Sequence, residues 1–139
     1  MSESYDGPLP EPTLDSQPYW AGLKENRLLL QRCSECGVIR HYPRPMCSQC
    51  HSMKSDWVEA SGRGHVHSWT VTHHPFHPAF KESVPYVLVT VDLEESVRML
   101  SQLRGAKPTD LRIGLPVEVF FEAVTDEVTL PYFRLLKSL

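Results

Sequence analysis

All four cysteines of this 139-residue chain fall within eighteen residues, as Cys33-Ser-Glu-Cys36 and Cys47-Ser-Gln-Cys50, two CxxC pairs ten residues apart. In such a pair the two intervening residues turn the chain back so that both sulfurs face one point. Two such turns close a tetrahedral S4 cage of the kind Zn2+ favours. The first pair runs into Gly37, the residue type best suited to the left-handed backbone that follows a knuckle, whereas the second runs into His51. Two disulfides would need an oxidising compartment, yet the N-terminus opens on acidic and proline-rich residues rather than a basic stretch and an apolar core, so a reducing, cytoplasmic setting is expected. A redox CxxC belongs at a helix start in a βαβ context, which the flanks do not offer. Iron in a rubredoxin-like site would use the same four thiolates, so spacing alone leaves it open. Zinc is favoured because closed S4 ribbons are mainly structural zinc sites. With every position filled by sulfur, the metal is expected to hold the fold and do no chemistry.

The rest of the chain divides around this unit. Residues 1–13, with prolines at 8, 10 and 12, read as an extended arm; 14–56 as an N-terminal helix and the zinc ribbon; 57–139 as a second small domain. No apolar run approaches the ~20 residues needed to cross a bilayer. Net charge is −3 overall, but residues 19–66 hold seven Lys/Arg against four acids, so the basic excess sits around the ribbon.

Asp15 or Ser16 can cap a helix that Pro18 helps initiate and that runs to Asn26. Its Tyr19, Trp20 and Leu23 either dock the helix on the ribbon or face a partner chain. Residues 28–32 read as a short strand into the first knuckle. Trp57 to Ala60 begins a strand-rich half, followed by strands over 65–72, 86–93, 97–103, 117–124 and 132–135. The 86–93 run is too apolar to leave one face open throughout. A helical turn at 108–114 ends on glycine. Five strands with a short helical insertion before the fourth, rich in glycine turns, predict a small Greek-key barrel of OB type, so the chain as a whole is expected to be mainly β.

The helix with Tyr19-Trp20, the two knuckles, Trp57-Val58-Glu59, Ser61-Gly62-Arg63-Gly64, the strand 67–71, Pro85-Tyr86, Leu111-Arg112-Ile113-Gly114 and Pro131-Tyr132-Phe133-Arg134 occur in an order that resembles the acyl-CoA-associated family in which a rubredoxin-like zinc ribbon is joined to an OB-fold. The resemblance extends from about residue 14 to the C-terminal strand. Two positions depart from the family's pattern: His51 after the second knuckle and Ser96 in a strand turn, where glycine is common. What the resemblance implies is a non-catalytic accessory protein that assembles with a thiolase-like enzyme, a thiolase or a steroid side-chain aldolase. It stabilises that partner, bridges it to a hydratase or synthase, and shapes the path of the acyl-CoA thioester. A hetero-oligomer in lipid or steroid degradation follows. The residues agree negatively: no cysteine lies outside the cage to carry an acyl group, and no Ser-His-acid or paired-carboxylate spacing stands out.

If the complex binds coenzyme A, its phosphates need only two or three bases, and Arg40, Arg44 and Arg63 in the basic segment are the candidates. His73-His74-Pro75-Phe76-His77 gathers three imidazoles, but Pro75 forbids a helical i, i+4 face. That segment reads as a loop with Phe76 and Phe80 as apolar anchors for a partner. The alternative from another class is a single-stranded nucleic-acid-binding OB-fold protein. Against it stand the pI of about 6.1 and a 67–139 half with seven basic residues against nine acidic ones. An iron electron carrier is the third reading, and would be coloured.

Overall fold

The computed structural model describes residues 7–136. Of the expected arm, residues 7–13 form neither helix nor strand before the turn at Leu14, and 1–6 lie outside the described residues. Helix α1 (Gln17–Lys24) leads into a three-stranded antiparallel sheet of order β2-β1-β3, made of β1 (Leu29–Cys33), β2 (Ile39–Arg40) and β3 (Ser55–Glu59). A closed barrel follows, built from β4 (Arg63–Thr72), β5 (Tyr86–Leu93), β6 (Arg98–Leu103), β7 (Pro116–Ala123) and β8 (Thr129–Leu135) in the order β4-β5-β6-β8-β7. Short 3-10 turns stand at Pro78–Phe80 and at Pro108–Asp110, the second before the fourth barrel strand, where the sequence predicts it.

α1 starts with Pro18 in its first turn, where the missing N–H is no loss. Ser16 occupies the N-cap position but turns its hydroxyl back to accept from the Thr13 amide at 2.9 Å, so it caps nothing. At the other end Asn26 takes a left-handed φ of 61°, and the Asn26 and Arg27 amides donate to the Leu23 and Gly22 carbonyls, each at 2.9 Å. That pair of bonds is a Schellman stop, which explains why the helix ends where the sequence places asparagine.

In the barrel, β5 alternates strictly, with Val87, Val89, Val91 and Leu93 buried and their neighbours half-buried. Its apolar composition therefore reflects one fully buried face and one partly covered face. β4 pairs with β5 through a register shift between Val66 and Ser68, and closes on β7 over Arg63–His65. Gly64 makes that crossing possible, because a Cβ there would overlap the Asp92 carbonyl oxygen and stand 2.6 Å from Val91 Cγ1. The last seam, between β6 and β8, is parallel and consists of one bridge, Leu103 with Phe133.

β3, which the sequence puts at the head of the barrel half, pairs along its length with β1 in the ribbon's sheet. One continuous core joins the parts: Leu28 and Leu30 of the ribbon, Tyr19 and Leu23 of α1, and Val66, Val89, Val117 and Phe133 of the barrel. No helix among the described residues is long and apolar enough to cross a membrane.

Candidate metal centre and the adjoining cleft

The two knuckles are built alike. In the first, the Cys33 amide donates to the Val38 carbonyl at 2.9 Å and the Gly37 amide to the Cys33 carbonyl at 3.0 Å; in the second, Cys47 donates to Ser52 at 2.9 Å and His51 to Cys47 at 3.0 Å. Gly37 has φ 81° and His51 has φ 64°. The histidine thus adopts the conformation that glycine takes in the first knuckle, and Ser96 does the same in its strand turn with φ 67°.

The four sulfurs lie within 4.8 Å of one another, with Cys33 Sγ 3.5 Å from Cys50 Sγ and Cys36 Sγ 3.6 Å from Cys47 Sγ. A tetrahedron with Zn–S of about 2.3 Å has sulfurs about 3.8 Å apart, so the cage fits that ion. Backbone amides face the sulfurs, Cys36 N to Cys33 Sγ at 3.5 Å and Gln49 N to Cys47 Sγ at 3.4 Å. Cys33 is lowered to about 6, chiefly by the Cys36 amide, and Cys47 is lowered by the amides of Cys50 and Gln49. Both shifts favour the thiolate, the form that binds metal, while Cys36 and Cys50 are pushed upward where the four sulfurs crowd together. Cys33 and Cys47 are buried while Cys36 and Cys50 are exposed.

Arg40, a candidate base for coenzyme A, is only 8% exposed. Its Nε donates to Gln31 Oε1 at 2.6 Å and its second guanidinium nitrogen to the Arg44 carbonyl at 3.0 Å, while the Arg44 amide also donates to Gln31 Oε1 at 2.8 Å. This network clamps the 40–44 loop to β1 and withdraws the Arg40 charge from the surface. The side chains of Arg44, on the ribbon loop, and Arg63, at the head of β4, are exposed and form no ion pair among the described residues.

Tyr19 and Leu23 lie in the core, 6% and 0% exposed, so of the three side chains the sequence singles out on α1 only Trp20 is partly open to the surface. Phe76 is 78% exposed, whereas Phe80 is half-buried against Tyr86, with ring centroids 5.8 Å apart. His73, His74 and His77 form no metal cluster: His77 Nδ1 accepts from the Ala79 amide at 3.0 Å, and the four cysteines are the one group among the described residues that could hold an ion. On the barrel, Arg98, Arg104 and Arg134 are each paired with a carboxylate, Asp92, Glu122 and Glu118 respectively.

Between α1, the 41–43 segment and strands β6 and β8 runs a mainly apolar cleft of about 450 Å³. Tyr19, Trp20, His41 and Tyr42 form one wall, and Leu100 and Leu130 stand on the other. Sequence reasoning names Tyr19 and Trp20 but misses His41, Tyr42, Leu100 and Leu130. An aromatic pair between two knuckles is the one local signal available, because four separate segments build the cleft.

The family model for the ChsH2 rubredoxin-like zinc ribbon domain matches residues 20–54, and that for the ChsH2 C-terminal OB-fold domain matches 57–122. A probable enoyl-CoA hydratase alpha subunit of Thermomonospora curvata is 42% identical over 127 residues, 91% of this chain and 39% of that protein. The 3-oxo-4,17-pregnadiene-20-carboxyl-CoA hydratase alpha subunit of Mycobacterium tuberculosis is 41% identical over 112 residues, 81% of this chain and 35% of that protein. The chain therefore spans little more than a third of the length of these curated relatives. Among solved structures, a chain of the Ltp2-ChsH2(DUF35) aldolase superposes with a TM-score of 0.83 at 41% identity, covering 91% of this chain and 98% of that one.

Proposed function

This chain belongs to the DUF35 family, a ChsH2-type rubredoxin-like zinc ribbon joined to a ChsH2-type OB-fold, and on that footing we propose that it is a non-catalytic accessory unit of a thiolase-like enzyme. The partner is a thiolase or steroid side-chain aldolase acting on acyl-CoA thioesters. The observation that carries this reading is the end-to-end match to the DUF35 chain of an aldolase. Fold alone would not carry it, since OB barrels serve many functions.

The cage supports a structural role. Zinc in a site with four sulfur ligands has no open position for water or substrate, so it supplies rigidity to the knuckles and leaves the chemistry to the partner. The relatives named as hydratase alpha subunits support a hydratase-like neighbour, to which this unit links the aldolase or thiolase in a hetero-oligomer. The steroid-derived thioester in the name of one of them points to an acyl group of that size for the complex. For the coenzyme A portion, Arg44 and Arg63 offer free guanidinium groups, and Arg40 acts by holding the Arg44 loop in place. Replacing all three by alanine should weaken CoA-thioester binding by the assembled complex; unchanged binding removes them from this role.

The nucleic-acid alternative is weakened by the paired barrel arginines, since a groove that tracks phosphates needs uncompensated bases. Iron would give the purified protein visible charge-transfer absorption, and zinc would leave it colourless. The deciding experiment is an affinity pull-down of the tagged chain from its native cell lysate. The co-purified proteins are then assayed for thiolytic or retro-aldol cleavage with and without the chain. A thiolase-like protein whose activity depends on the chain is the expected result. Recovery of nucleic acid and no acyl-CoA enzyme overturns the proposal.

A further inference from the structure

The cleft beside α1 has a volume within the ordinary range of small-molecule sites, and its walls are apolar apart from a few polar groups. Several of those groups are already occupied. The Ser16 hydroxyl is engaged with Thr13, and the Ser101 hydroxyl donates to the Pro131 carbonyl at 2.6 Å. His41 differs. Its ring lies tilted against Tyr19 and Tyr42, at centroid distances of 5.3 and 4.1 Å, and its Nδ1 is sealed from solvent with no hydrogen-bond partner.

A buried N–H without an acceptor is more costly than a buried lone pair without a donor, so the proton of the neutral ring belongs on Nε2. Burial keeps that ring neutral by lowering His41 to about 4. An imidazole that lines the cleft and carries its proton on Nε2 offers a donor and no positive charge. No lysine or arginine lines the cleft, so burying a carboxylate or phosphate there would cost more than one hydrogen bond returns, and a neutral acceptor fits better. Tyr42 and Leu100, 55% and 50% exposed, stand at the edges of the opening and leave room for a rigid apolar body to enter.

We propose that this cleft binds an apolar ring or acyl body bearing a carbonyl oxygen, which accepts from His41 Nε2 while Trp20, Tyr42, Leu100 and Leu130 enclose the hydrocarbon. The site takes one wall from the 41–43 segment between the two knuckles but uses none of their cysteines. The proposal rests on the accessory role only for the reason such a compound would be met. Its test needs the chain alone, so either reading can fail without the other.

The probe is 2-decalone, a rigid bicyclic ketone, titrated into the zinc-loaded full chain. The Trp20 indole N–H and the His41 ring nitrogens are followed by NMR. We expect saturable shifts at both, a His41 proton found on Nε2, and affinity about tenfold weaker in His41→Phe, which keeps the ring and loses the donor. Leu100→Trp, at an exposed rim position, should block the shifts while leaving the amide spectrum of the barrel intact. A proton on Nδ1, equal affinity in His41→Phe, or shifts that survive Leu100→Trp each overturn the proposal. So does a Trp20 signal that is silent to the ketone and responds only to the thiolase-like partner, since the cleft would then be a protein interface.

Discussion

His41 couples the cleft to the stability of the protein through proton binding. Its folded value of about 4 lies below the ordinary histidine value near 6.5, because burial disfavours the charged ring. As pH falls below about 6.5 the unfolded chain takes up this proton first, so stability declines until about pH 4 and then levels, by at most about 3 kcal/mol. Neither ring it touches, Tyr19 or Tyr42, is a carboxylate that could compensate the charge. Urea midpoints measured at pH 7 and pH 5 should therefore differ in the wild type and converge in His41→Phe; an equal difference in both would assign the effect to another group. At the same scale, His51 and Ser96 mark how far single residues could be read. The family resemblance marks both as places where glycine is common, and both residues adopt the left-handed backbone all the same, at φ 64° and 67°. A turn demanded by the metal cage or by strand pairing tolerates roughly 1–2 kcal/mol of local strain.

Among the elements, the glycines divide by what surrounds them. Gly64→Ala places a Cβ against the Asp92 backbone where β4 crosses β5, and backbone cannot yield as a side chain can. The change should cost about 3 kcal/mol or more. Gly114→Ala, with φ +89° and no heavy atom within 4 Å of the added carbon, should cost only about 1–2 kcal/mol for its backbone conformation. Equilibrium urea denaturation of the two variants checks the order, and an equal loss would mean that β4 shifts to relieve the overlap. The barrel strands were legible because each carries its own apolar pattern between turn residues. The allegiance of β3 was not, since its residues are mostly half-buried and its partner, β1, lies across the two knuckles in sequence. Burial of Tyr19 and Leu23 was one of two open readings for the same reason: a helix shows which face is apolar but not what covers it.

Across the whole molecule, ribbon and barrel share one core but are held by different means. The β1–β2–β3 sheet is small and bracketed by the cage, whereas the barrel closes through its own ladders around Val89, Val91, Val117 and Phe133. Stripping the metal with a chelator under reducing conditions should therefore release the amides of residues 29–59 to rapid hydrogen exchange while those of β4, β5 and β7 stay protected. Protection retained in the ribbon, or lost everywhere together, would show that the cage does not divide the molecule in this way. The metal cage could be read from the sequence because its ligands are near neighbours; the cleft could not, because it exists only once four distant segments meet. Its floor is formed where β6 meets β8, the seam with one parallel bridge, Leu103 to Phe133, reinforced by the Ser101 hydroxyl on Pro131 and the Arg104 amide on the Phe133 carbonyl. A joint held by so few bonds is the part of a barrel that can breathe without unravelling the rest. The cleft is thus floored by an expansion gap, able to widen for a bulky guest while the knuckles and the longer ladders keep their shape.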